Sequence, residues 1–435
     1  MAARGFLIAA PASGSGKTVV TLGLLRALKP QHPQIGAFKV GPDYIDPAFH
    51  AAATGRPSCN IDLWAMRPAT VAAILRRLAD SSDLILGEGV MGLFDGAADD
   101  TGSTADVAAL TGLPVVLVVD VRGQAASVAA LLRGFASHRA DIRIAGVIFN
   151  RVGGRAHESI LRQAVAPLGV TVLGAVPRDP DLVLADRHLG LVQAAEHDRL
   201  ETFIARAAKT FETCIDLDGL SGIAQPLRST GHAGTGATLP PLGQRIAVAR
   251  DVAFSFLYPE LLAGWQRQGA TVEYFSPLAD EAPAADADAV YLPGGYPELH
   301  AGRLAAAARF RSALRAAAAR GATIFGECGG YMALGESLTD ADGQEHAMAG
   351  LLPLATSFAE RRLHLGYRQV AVKSDSPIGA AGLRFRGHEF HYATVLREEG
   401  DSLFEAANAR GESVGPMGLR RGSVLGSFCH LIDAA

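Results

Sequence analysis

The 435-residue sequence has few cysteines, no long apolar run and little net charge, and each shortage excludes a class of protein. The four cysteines are scattered without a CxxC pair, which argues against a zinc site and against a disulfide scaffold. They leave room for one reactive thiol. The apolar run at residues 113–119 is far too short to span a membrane. The net charge of -4 comes from interspersed charges of both signs, without the basic patch of a nucleic-acid-binding protein.

The N-terminal apolar segment at residues 6–10 faintly resembles a signal peptide. It is short for the apolar part of such a peptide, and it runs directly into a phosphate-loop pattern. We therefore predict that it is a buried first strand. A cytoplasmic protein is the expectation that follows.

The first half of the sequence is dominated by an alternation of short apolar runs with Ala- and Leu-rich stretches. Residues 71–78 and 127–136 have the periodicity of helices. Strands that alternate with helices predict an α/β fold with a doubly wound parallel sheet. The runs that we predict as its strands are residues 5–10, 36–40, 83–86, 115–120, 144–149 and 172–176.

The alternation stops near Asp216, and residues 217–243 are rich in Gly, Ser, Thr and Pro. This composition predicts a linker between a first domain, residues 1–216, and a second α/β domain, residues 244–435. In the second domain, residues 303–320 are predicted to form one Ala-rich helix. Its predicted strands are residues 245–249, 271–275, 289–292 and 322–325, and the end from 366 to 430 is β-rich.

A glycine-rich loop, PASGSGKT at residues 11–18, follows the first predicted strand and precedes an amphipathic helix, as a Walker A loop does. The N–H groups of such a loop bind phosphates, Lys17 reaches the β- and γ-phosphates, and Thr18 holds Mg²⁺. Pro11 replaces the usual first Gly, and an ordinary strand–helix turn is the alternative. The residues of this loop predicted to bind ATP are Ser13, Gly14, Ser15, Gly16, Lys17 and Thr18.

Charged residues also follow the neighbouring predicted strands. Lys39 ends the second strand, Glu88 ends the third, and Asp46 lies in the segment after Lys39. Ligands of open α/β sheets bind at the carboxyl ends of the strands, so these side chains are expected to converge. Thr18, Asp46 and Glu88 are the predicted Mg²⁺ ligands. Lys39 is predicted to neutralise a transferring phosphoryl group, and a solvated loop charge is the alternative for each residue.

The segment GECGG at residues 326–330 places Cys328 between a predicted strand and a helix, flanked by small residues. This pattern is typical of a nucleophile elbow, in which the thiol is exposed and the helix dipole lowers its pKa. A buried structural cysteine is the alternative. Cys429 is the weaker nucleophile candidate. Gly294 and Gly295 follow another strand, and their N–H groups are predicted to form an oxyanion hole.

A thiol nucleophile needs a base, and His430 at the end of a strand-like run is the predicted one. Cys429 precedes it on the same run, and successive side chains of a strand face opposite sides. His388 and His391 are rival bases. We rank both lower as catalysts and higher as structural or interdomain groups.

Seven segments together resemble the cobyrinate/hydrogenobyrinate a,c-diamide synthase family nearly end to end. They are PASGSGKT, FKVGPDYIDPAFH, EGVMGLFDG, PGGYPELH, GECGGYM, GHEFHY and SFCH. The resemblance implies a dethiobiotin-synthetase-like P-loop domain followed by a class I glutamine amidotransferase domain. It implies that Cys328 forms a thioester with glutamine while His430 acts as base and acid. It also implies that ATP, as co-substrate with Mg²⁺, phosphorylates the a and c acetates of a corrinoid, and that ammonia then displaces phosphate.

The resemblance extends to Asn150, which matches a position that contacts adenine in similar folds. It breaks down after the histidine, because class I amidotransferases usually carry an acidic residue two positions further on. Ile432 stands there in this chain, and Asp433 follows it. The third member of the triad is then missing or supplied elsewhere, which predicts slow or gated glutaminase activity.

The sequence is also compatible with other functions. Nickel-sirohydrochlorin a,c-diamide synthases and cobyric acid synthases carry related domains, and overall similarity favours hydrogenobyrinate over cobyrinate as the ring. A MinD/ParA-like switch ATPase is disfavoured because residues 11–15 lack the extra lysine of that group. A second domain that has lost catalysis is disfavoured by Cys328 and His430. Arg122 and Arg151 are candidates to grip ring carboxylates, or are solvated loop residues. We expect a homodimer with no nucleic-acid or membrane partner.

Overall fold

The computed structural model describes residues 3–184, 186–187, 190–228 and 239–435. The chain divides into two compact units. The first unit comprises Met1–Trp64 and Pro68–Gly236, and the second comprises Ala65–Arg67 and Ala237–Ala435. Among the described residues, no helix has both the length and the apolar character needed to cross a lipid bilayer.

A largely parallel sheet organises the first unit, which confirms the predicted doubly wound α/β fold. The strands of this unit are β1 (Arg4–Ala9), β2 (Gly36–Val40), β3 (Cys59–Ile61), β4 (Leu84–Glu88), β5 (Val115–Asp120), β6 (Ile144–Val152), β7 (Thr171–Pro177), β8 (Asp186–Arg187), β9 (Gly190–Leu191) and β10 (Gln225–Pro226), of which β8 and β9 form a separate two-stranded sheet. Its helices are α1 (Lys17–Leu28), α2 (Asp46–Thr54), α3 (Pro68–Asp80), α4 (Thr104–Thr111), α5 (Val128–His138), α6 (Arg155–Val165), α7 (Leu200–Cys214) and α8 (Leu217–Ile223).

The order of the strands in this sheet, β3-β2-β4-β1-β5-β6-β7, places the phosphate loop near its middle. The central strands are buried along their length, because Val, Ile and Leu side chains fill both faces of a sheet covered by helices. Helices α1, α2 and α7 pack against one another, and α5 packs against α6. The chain reverses its direction of travel across the sheet after β3, and such a reversal marks where ligands bind in open α/β sheets.

The beginning of the predicted linker is ordered and belongs to the first unit. Asp216 caps α8, since its side chain accepts a hydrogen bond from the N–H of Gly219, and Leu220 is fully buried. The strand β10 then pairs antiparallel with β1. These local contacts outweigh the loop-like composition of the segment. Residues 229–238 of the predicted linker lie outside the described residues.

The second unit is built on a mixed sheet in the order β12-β11-β13-β14-β23-β22-β21-β18-β19-β24 and on a smaller sheet in the order β16-β15-β17-β20. Its strands are β11 (Arg245–Ala249), β12 (Thr271–Phe275), β13 (Ala289–Leu292), β14 (Thr323–Glu327), β15 (Ser337–Thr339), β16 (Glu345–Ala347), β17 (Leu354–Ser357), β18 (His364–Val372), β19 (Arg384–His391), β20 (Thr394–Glu398), β21 (Asp401–Ala407), β22 (Ser413–Arg421), β23 (Val424–Ser427) and β24 (Cys429–Ala434). Its helices are α9 (Pro259–Arg267), α10 (Ala301–Ala306), α11 (Ala308–Ala319) and α12 (Gly329–Leu334).

The prediction of a single helix over residues 303–320 is wrong, because a non-helical residue separates α10 from α11. The backbone of Ala307 has φ −72° and ψ 77°, which is not helical. Asp280 accepts a hydrogen bond from the N–H of Phe310 at 2.8 Å, in the first turn of α11. An acceptor at the start of a helix satisfies an N–H group that has no partner within the helix. A contact from a distant segment therefore stabilises the start of a second helix at α11. The local Ala content gave no sign of this interruption.

Candidate active sites

The phosphate loop lies between β1 and the N-terminus of α1. Gly14 has φ 76° and Gly16 has φ 90°, the left-handed region that favours glycine. A side chain at Gly16 would also meet Asn150, whose Nδ2 lies 2.3 Å from the place of its Cβ. The Ser15 hydroxyl donates to the carbonyl of Ala12 at 2.8 Å, which closes the turn. The loop thus has the backbone shape that a phosphate-binding turn requires.

Lys17 is held by the loop that follows β4. Its Nζ donates to the carbonyl oxygen of Met91 at 2.5 Å, and Met91 itself has φ 46°. Burial, followed by the nearby charge of Lys39, lowers the pKa of Lys17 to about 8. A buried ammonium group whose hydrogen-bond partner is a neutral carbonyl is well suited to a polyanionic ligand, because the ligand places negative charge in direct contact with it.

Lys39, Asp46 and Glu88 converge as predicted from the ends of neighbouring strands. The Nζ of Lys39 donates to Oδ2 of Asp46 at 2.5 Å and to Oε1 of Glu88 at 3.0 Å. Although burial acts to lower the pKa of Lys39, the two carboxylates outweigh it and raise that pKa. The lysine therefore stays charged.

The hydroxyl of Thr18 completes this cluster. Its Oγ1 donates to Oε1 of Glu88 at 2.8 Å and lies 3.4 Å from Oδ2 of Asp46. One hydroxyl and two carboxylates are hard oxygen donors of the kind that Mg²⁺ prefers. The residues present therefore fit a magnesium ion.

His50 is a member of the cluster that the sequence reasoning missed. Its Nε2 lies 2.7 Å from Oε2 of Glu88, and its Nδ1 lies 3.2 Å from the hydroxyl of Ser58. His50 is fully buried. The available signal was its spacing on α2, because residues four apart on a helix lie on one face and Asp46 begins this helix.

Asn150, Arg122 and Arg151 lie near the carboxyl ends of β5 and β6. The side chain of Asn150 donates to the carbonyl of Ser15 at 2.9 Å, so it supports the phosphate loop, and its predicted contact with adenine stays a prediction. Arg122 and Arg151 both pair with Asp120, at 2.8 and 2.5 Å. Arg151 also donates to the carbonyl of Gly14. Their predicted hold on ring carboxylates stays a prediction.

In the second unit, Cys328 lies in a sharp turn between β14 and α12. Its backbone has φ 47° and ψ −104°, a strained conformation for a residue with a side chain. Gly330 permits the turn, because a Cβ there would lie 1.9 Å from the carbonyl oxygen of Leu292. The predicted nucleophile elbow is therefore present.

The expected exposure and lowered pKa of Cys328 are wrong for this structure. The residue is only 2% exposed, and its Sγ lies 3.8 Å from the carbonyl oxygen of Phe390. Burial, with the nearby carboxylate of Glu298, raises the pKa of the thiol, although the N–H of Gly329 opposes this. Desolvation outweighs the short helix that follows, so the thiol rests protonated and needs a base.

His430 lies close to Cys328 across Gly294. At the place of a Cβ on Gly294, Cε1 of His430 would be 2.4 Å away and Cβ of Cys328 3.3 Å away. His430 is fully buried near the ring of Phe256, and burial lowers the pKa of its imidazole to about 3. The histidine is therefore neutral at rest and able to accept a proton.

The glycines predicted for the oxyanion hole, Gly294 and Gly295, lie beside Cys328 and the residue that follows it. A Cβ on Gly329 would lie 2.9 Å from the backbone N of Gly295, so these two residues are in close contact. Gly329 follows the nucleophile, and its N–H interacts with the sulfur of Cys328. Gly294 uses its carbonyl oxygen to accept from the N–H of Phe256. The arrangement brings Gly295 and Gly329 together, and Gly329 was not among the residues predicted for the oxyanion hole.

The rival histidines lie on β19, the strand beside His430. His388 is the register partner of His430. His391 is bound by the carboxylate of Glu389 at 3.0 Å and stacks on Phe428. Of these three histidines, His430 is the one whose ring lies against Gly294, which also adjoins Cys328.

A buried carboxylate lies beside His430, and it is Glu327. Its Oε2 is 3.8 Å from Nδ1 of His430. Asp433, the nearest acid after the histidine in sequence, instead accepts three hydrogen bonds from Arg67 within the second unit. Glu327 was not among the predicted site residues, although its place directly before the nucleophile was a signal.

Two family models match the chain, one in each half. Residues 6–191 match the CobQ/CobB/MinD/ParA nucleotide binding domain. Residues 245–435 match the CobB/CobQ-like glutamine amidotransferase domain.

Similar curated proteins extend over the whole chain. One from Brucella suis biovar 1 (strain 1330) is 58% identical over 99% of this chain and 98% of its own length. Another from Rhizobium meliloti (strain 1021) is 55% identical over 99% of both chains, and one from Mesorhizobium japonicum is 49% identical over 100% of both. Each of the three is named hydrogenobyrinate a,c-diamide synthase. With a nucleotide-binding domain, an amidotransferase domain and relatives of this identity along its full length, the chain belongs to the hydrogenobyrinate a,c-diamide synthase family.

Proposed function

We propose that the chain amidates the a and c acetate carboxylates of hydrogenobyrinate, using ATP and the amide nitrogen of glutamine. The observation that carries the proposal is the full-length identity with proteins named for this reaction. The two sites support it, because a phosphate loop with an acidic cluster and a Cys–His pair are the two chemistries that the reaction needs. These groups lie in separate units of one chain.

In the second unit, we propose that Sγ of Cys328 attacks the side-chain carbonyl of glutamine. His430 takes the thiol proton and returns it to the leaving nitrogen, so the C–N bond breaks and ammonia is released. The predicted N–H groups of Gly294 and Gly295, together with that of Gly329, stabilise the oxyanion. Water, activated by His430, then hydrolyses the thioester to glutamate.

In the first unit, a substrate carboxylate attacks the γ-phosphorus of ATP, ADP leaves, and an acyl phosphate forms. Ammonia attacks the acyl carbon, and phosphate departs with the carboxylate oxygen. Ser13 to Thr18 cradle the phosphates, while Lys17 and Lys39 neutralise charge on the transferring group. Thr18, Asp46 and Glu88 would hold Mg²⁺, which supplies further charge neutralisation to the phosphate oxygens. The homodimer and the cytoplasmic location stay predictions.

The test follows product mass with hydrogenobyrinic acid or cobyrinic acid as acceptor, ATP, Mg²⁺ and a nitrogen donor. Each exchange of OH for NH₂ lowers the product mass by one unit, so two successive losses are expected with hydrogenobyrinic acid. Cys328→Ala should lose this product with glutamine and keep it with ammonium salts. Cys429→Ala, which removes the neighbouring buried thiol, is the matched control and should keep both activities.

Two results would contradict the proposal. ATP hydrolysis without any change in the mass of either ring would point to a different acceptor. Amidation that proceeds with glutamine in Cys328→Ala would remove the thiol from the mechanism. A product from cobyrinic acid alone would correct the ring while leaving the reaction type in place.

A further inference from the structure

Glu327 is a buried acid that the reaction scheme above does not use. It ends β14 directly before Cys328 and is only 1% exposed. A carboxylate without water around it must be held by hydrogen bonds or by charge, since leaving it unpaired in the interior is costly. What holds Glu327, and what it faces, therefore indicates its role.

Both carboxylate oxygens of Glu327 are engaged by neighbouring strands. Oε2 accepts from the hydroxyl of Tyr291, on β13, at 2.6 Å. Oε1 accepts from the N–H of Leu431, on β24, at 3.0 Å. Leu431 directly follows His430, so this bond fixes the backbone of the catalytic histidine. The same Oε2 lies 3.8 Å from Nδ1 of His430, the distance of an ion pair.

Two other acids lie near His430, one after it in the sequence and one on the paired strand β19, and each is bound to an arginine. Asp433 accepts from Nε and Nη2 of Arg67 at 3.1 and 2.7 Å. Glu389 accepts from Nε of Arg368 at 2.8 Å and is bound by His391. The position two residues after His430 is Ile432, which has no polar group. Glu327 differs from both, because no arginine binds its carboxylate in any contact given above and its Oε2 lies 3.8 Å from Nδ1 of His430.

We propose that Glu327 is the acidic positioning residue of the glutaminase site, replacing the acid that other class I amidotransferases carry two residues after the histidine. This inference rests on the proposed glutaminase function. When Cys328 transfers its proton to Nε2 of His430, the ring becomes an imidazolium in a buried site. The carboxylate of Glu327 stabilises that charge at Nδ1 and keeps the ring aimed at the thiol, as the buried acid does in hydrolase triads.

The groups around Glu327 are neutral near pH 7, so the titration of Glu327 itself can be followed through the pH dependence of catalysis. The titratable groups that face Glu327 are Tyr291 on β13, Cys328 beside it, and Cys429 and His430 on β24. Burial raises the pKa values of the tyrosine and of both thiols, and lowers the pKa of His430, so all four are neutral near pH 7. Burial, opposed by the hydrogen bonds from Tyr291 and Leu431, raises the pKa of Glu327 to about 7.

The sign of the pH dependence follows from this assignment. Below pH 7 Glu327 is protonated and cannot balance an imidazolium, whereas above pH 7 it is charged. The kcat/KM of glutamine hydrolysis should therefore rise as the pH increases through about 7. The hydroxyl of Tyr291 stabilises the carboxylate form, so its removal raises the pKa of Glu327 and moves the rise to higher pH.

The experiment measures kcat/KM of glutamine hydrolysis from pH 5.5 to 9 on the full chain, with ammonia-supported amidation measured in parallel. Glu327→Gln should lower the plateau value by roughly 10²-fold, less than the roughly 10⁴-fold loss for an acid hydrogen-bonded directly to its histidine. The rise with pH should disappear, while the ammonia-supported rate stays within twofold. Glu327→Asp should retain a rise with pH at a lower rate.

Two further variants decide the result if Glu327→Gln does not fold. Tyr291→Phe should shift the rise to higher pH, and Asp433→Asn should leave it in place. An unshifted rise in Tyr291→Phe, or an unchanged rise in Glu327→Gln, would overturn the inference. Failure of the proposed function looks different, because wild-type protein would then release no glutamate and Cys328→Ala would match it.

Discussion

The candidate site of the first unit is a cluster of acidic and basic side chains linked by ion pairs, whereas that of the second unit is a pair of neutral groups. Lys39 lies between Asp46 and Glu88, with Lys17 and Thr18 beside them. Cys328 and His430 are both buried, and burial drives each toward its uncharged form. The difference follows the substrates that we propose, because ATP brings charge into its site and the side-chain amide of glutamine does not.

The two sites also use glycine differently. In the phosphate loop, Gly14 and Gly16 have positive φ and turn the backbone around a ligand. Near the thiol, a side chain would not fit at Gly294, which lies against His430 and Cys328, or at Gly330, which lies against the end of β13. The first site depends on the positive φ angles of its glycines, and the second depends on glycines that let neighbouring atoms pack closely against the backbone. Substitutions should therefore damage one activity and leave the other in place.

The largest expected effect is that of Lys17→Ala. Amidation with either glutamine or ammonia should fall by at least about 10³-fold, since a charged group that stabilises the transferring phosphoryl is removed. Glutamine hydrolysis should remain. Lys29→Ala, at the other end of α1, is the control and should keep both activities. Equal loss of both activities in Lys17→Ala would contradict the separation of the two sites.

Gly294→Ala should have the opposite selectivity. Its Cβ would lie 2.4 Å from Cε1 of His430, so the ring must move and glutamine-dependent turnover should fall by roughly 10²-fold. Ammonia-supported amidation should be unchanged. Gly134→Ala, where the added Cβ meets no atom within 4 Å, is the matched control. Normal glutaminase kinetics in Gly294→Ala would show that this contact has no effect on catalysis.

His50→Gln should weaken the charged cluster more mildly. The imidazole binds Oε2 of Glu88 at 2.7 Å, and loss of such a supporting contact typically costs about 10- to 100-fold in metal affinity or activity. The measurement is the Mg²⁺ concentration that gives half-maximal ammonia-supported amidation. His32→Gln, a half-buried histidine of the same unit, is the control. An unchanged Mg²⁺ dependence would limit His50 to a packing role.

The smallest effect concerns stability. Arg67→Ala removes two side-chain donors from the buried carboxylate of Asp433, which should lower the free energy of unfolding of the second unit by roughly 1–3 kcal/mol. Urea unfolding monitored by Trp265 in a Trp64→Phe background reports on this unit. The exposed residue Arg309 supplies the control, as Arg309→Ala. Equal midpoints for the two variants would exclude Asp433 as a structural anchor.

Much of this molecule was predictable from local sequence patterns. Apolar runs indicated β2, β5, β11 and β13 with the observed bounds, because buried parallel strands have few polar residues. The predicted bounds of β12 also match, although most of that strand is exposed. The motif around Lys17 and the turn around Cys328 indicated where the two sites form. Both motifs depend on residues adjacent in the chain, so a single sequence contains the information that they need.

The errors came from contacts between distant segments. Asp280 stabilises the break between α10 and α11, and Phe390 covers the thiol that a nucleophile elbow usually exposes. His50 lies in the charged cluster because the fold places α2 against β4. Glu327 lies beside the catalytic histidine because the fold places β24 in contact with the end of β14. A linear pattern of residues does not specify such pairings.

The sequence by itself determined the α/β class, the order of the motifs, and the identity of the residues able to bind phosphate or attack an amide. These follow from side-chain chemistry and from the periodicities of strands and helices. The tertiary structure alone decided which acid faces His430, which histidine supports Glu88, and that Cys328 rests as a buried, protonated thiol. Those properties depend on burial and on distances of a few ångströms, which arise only when separate strands pack together.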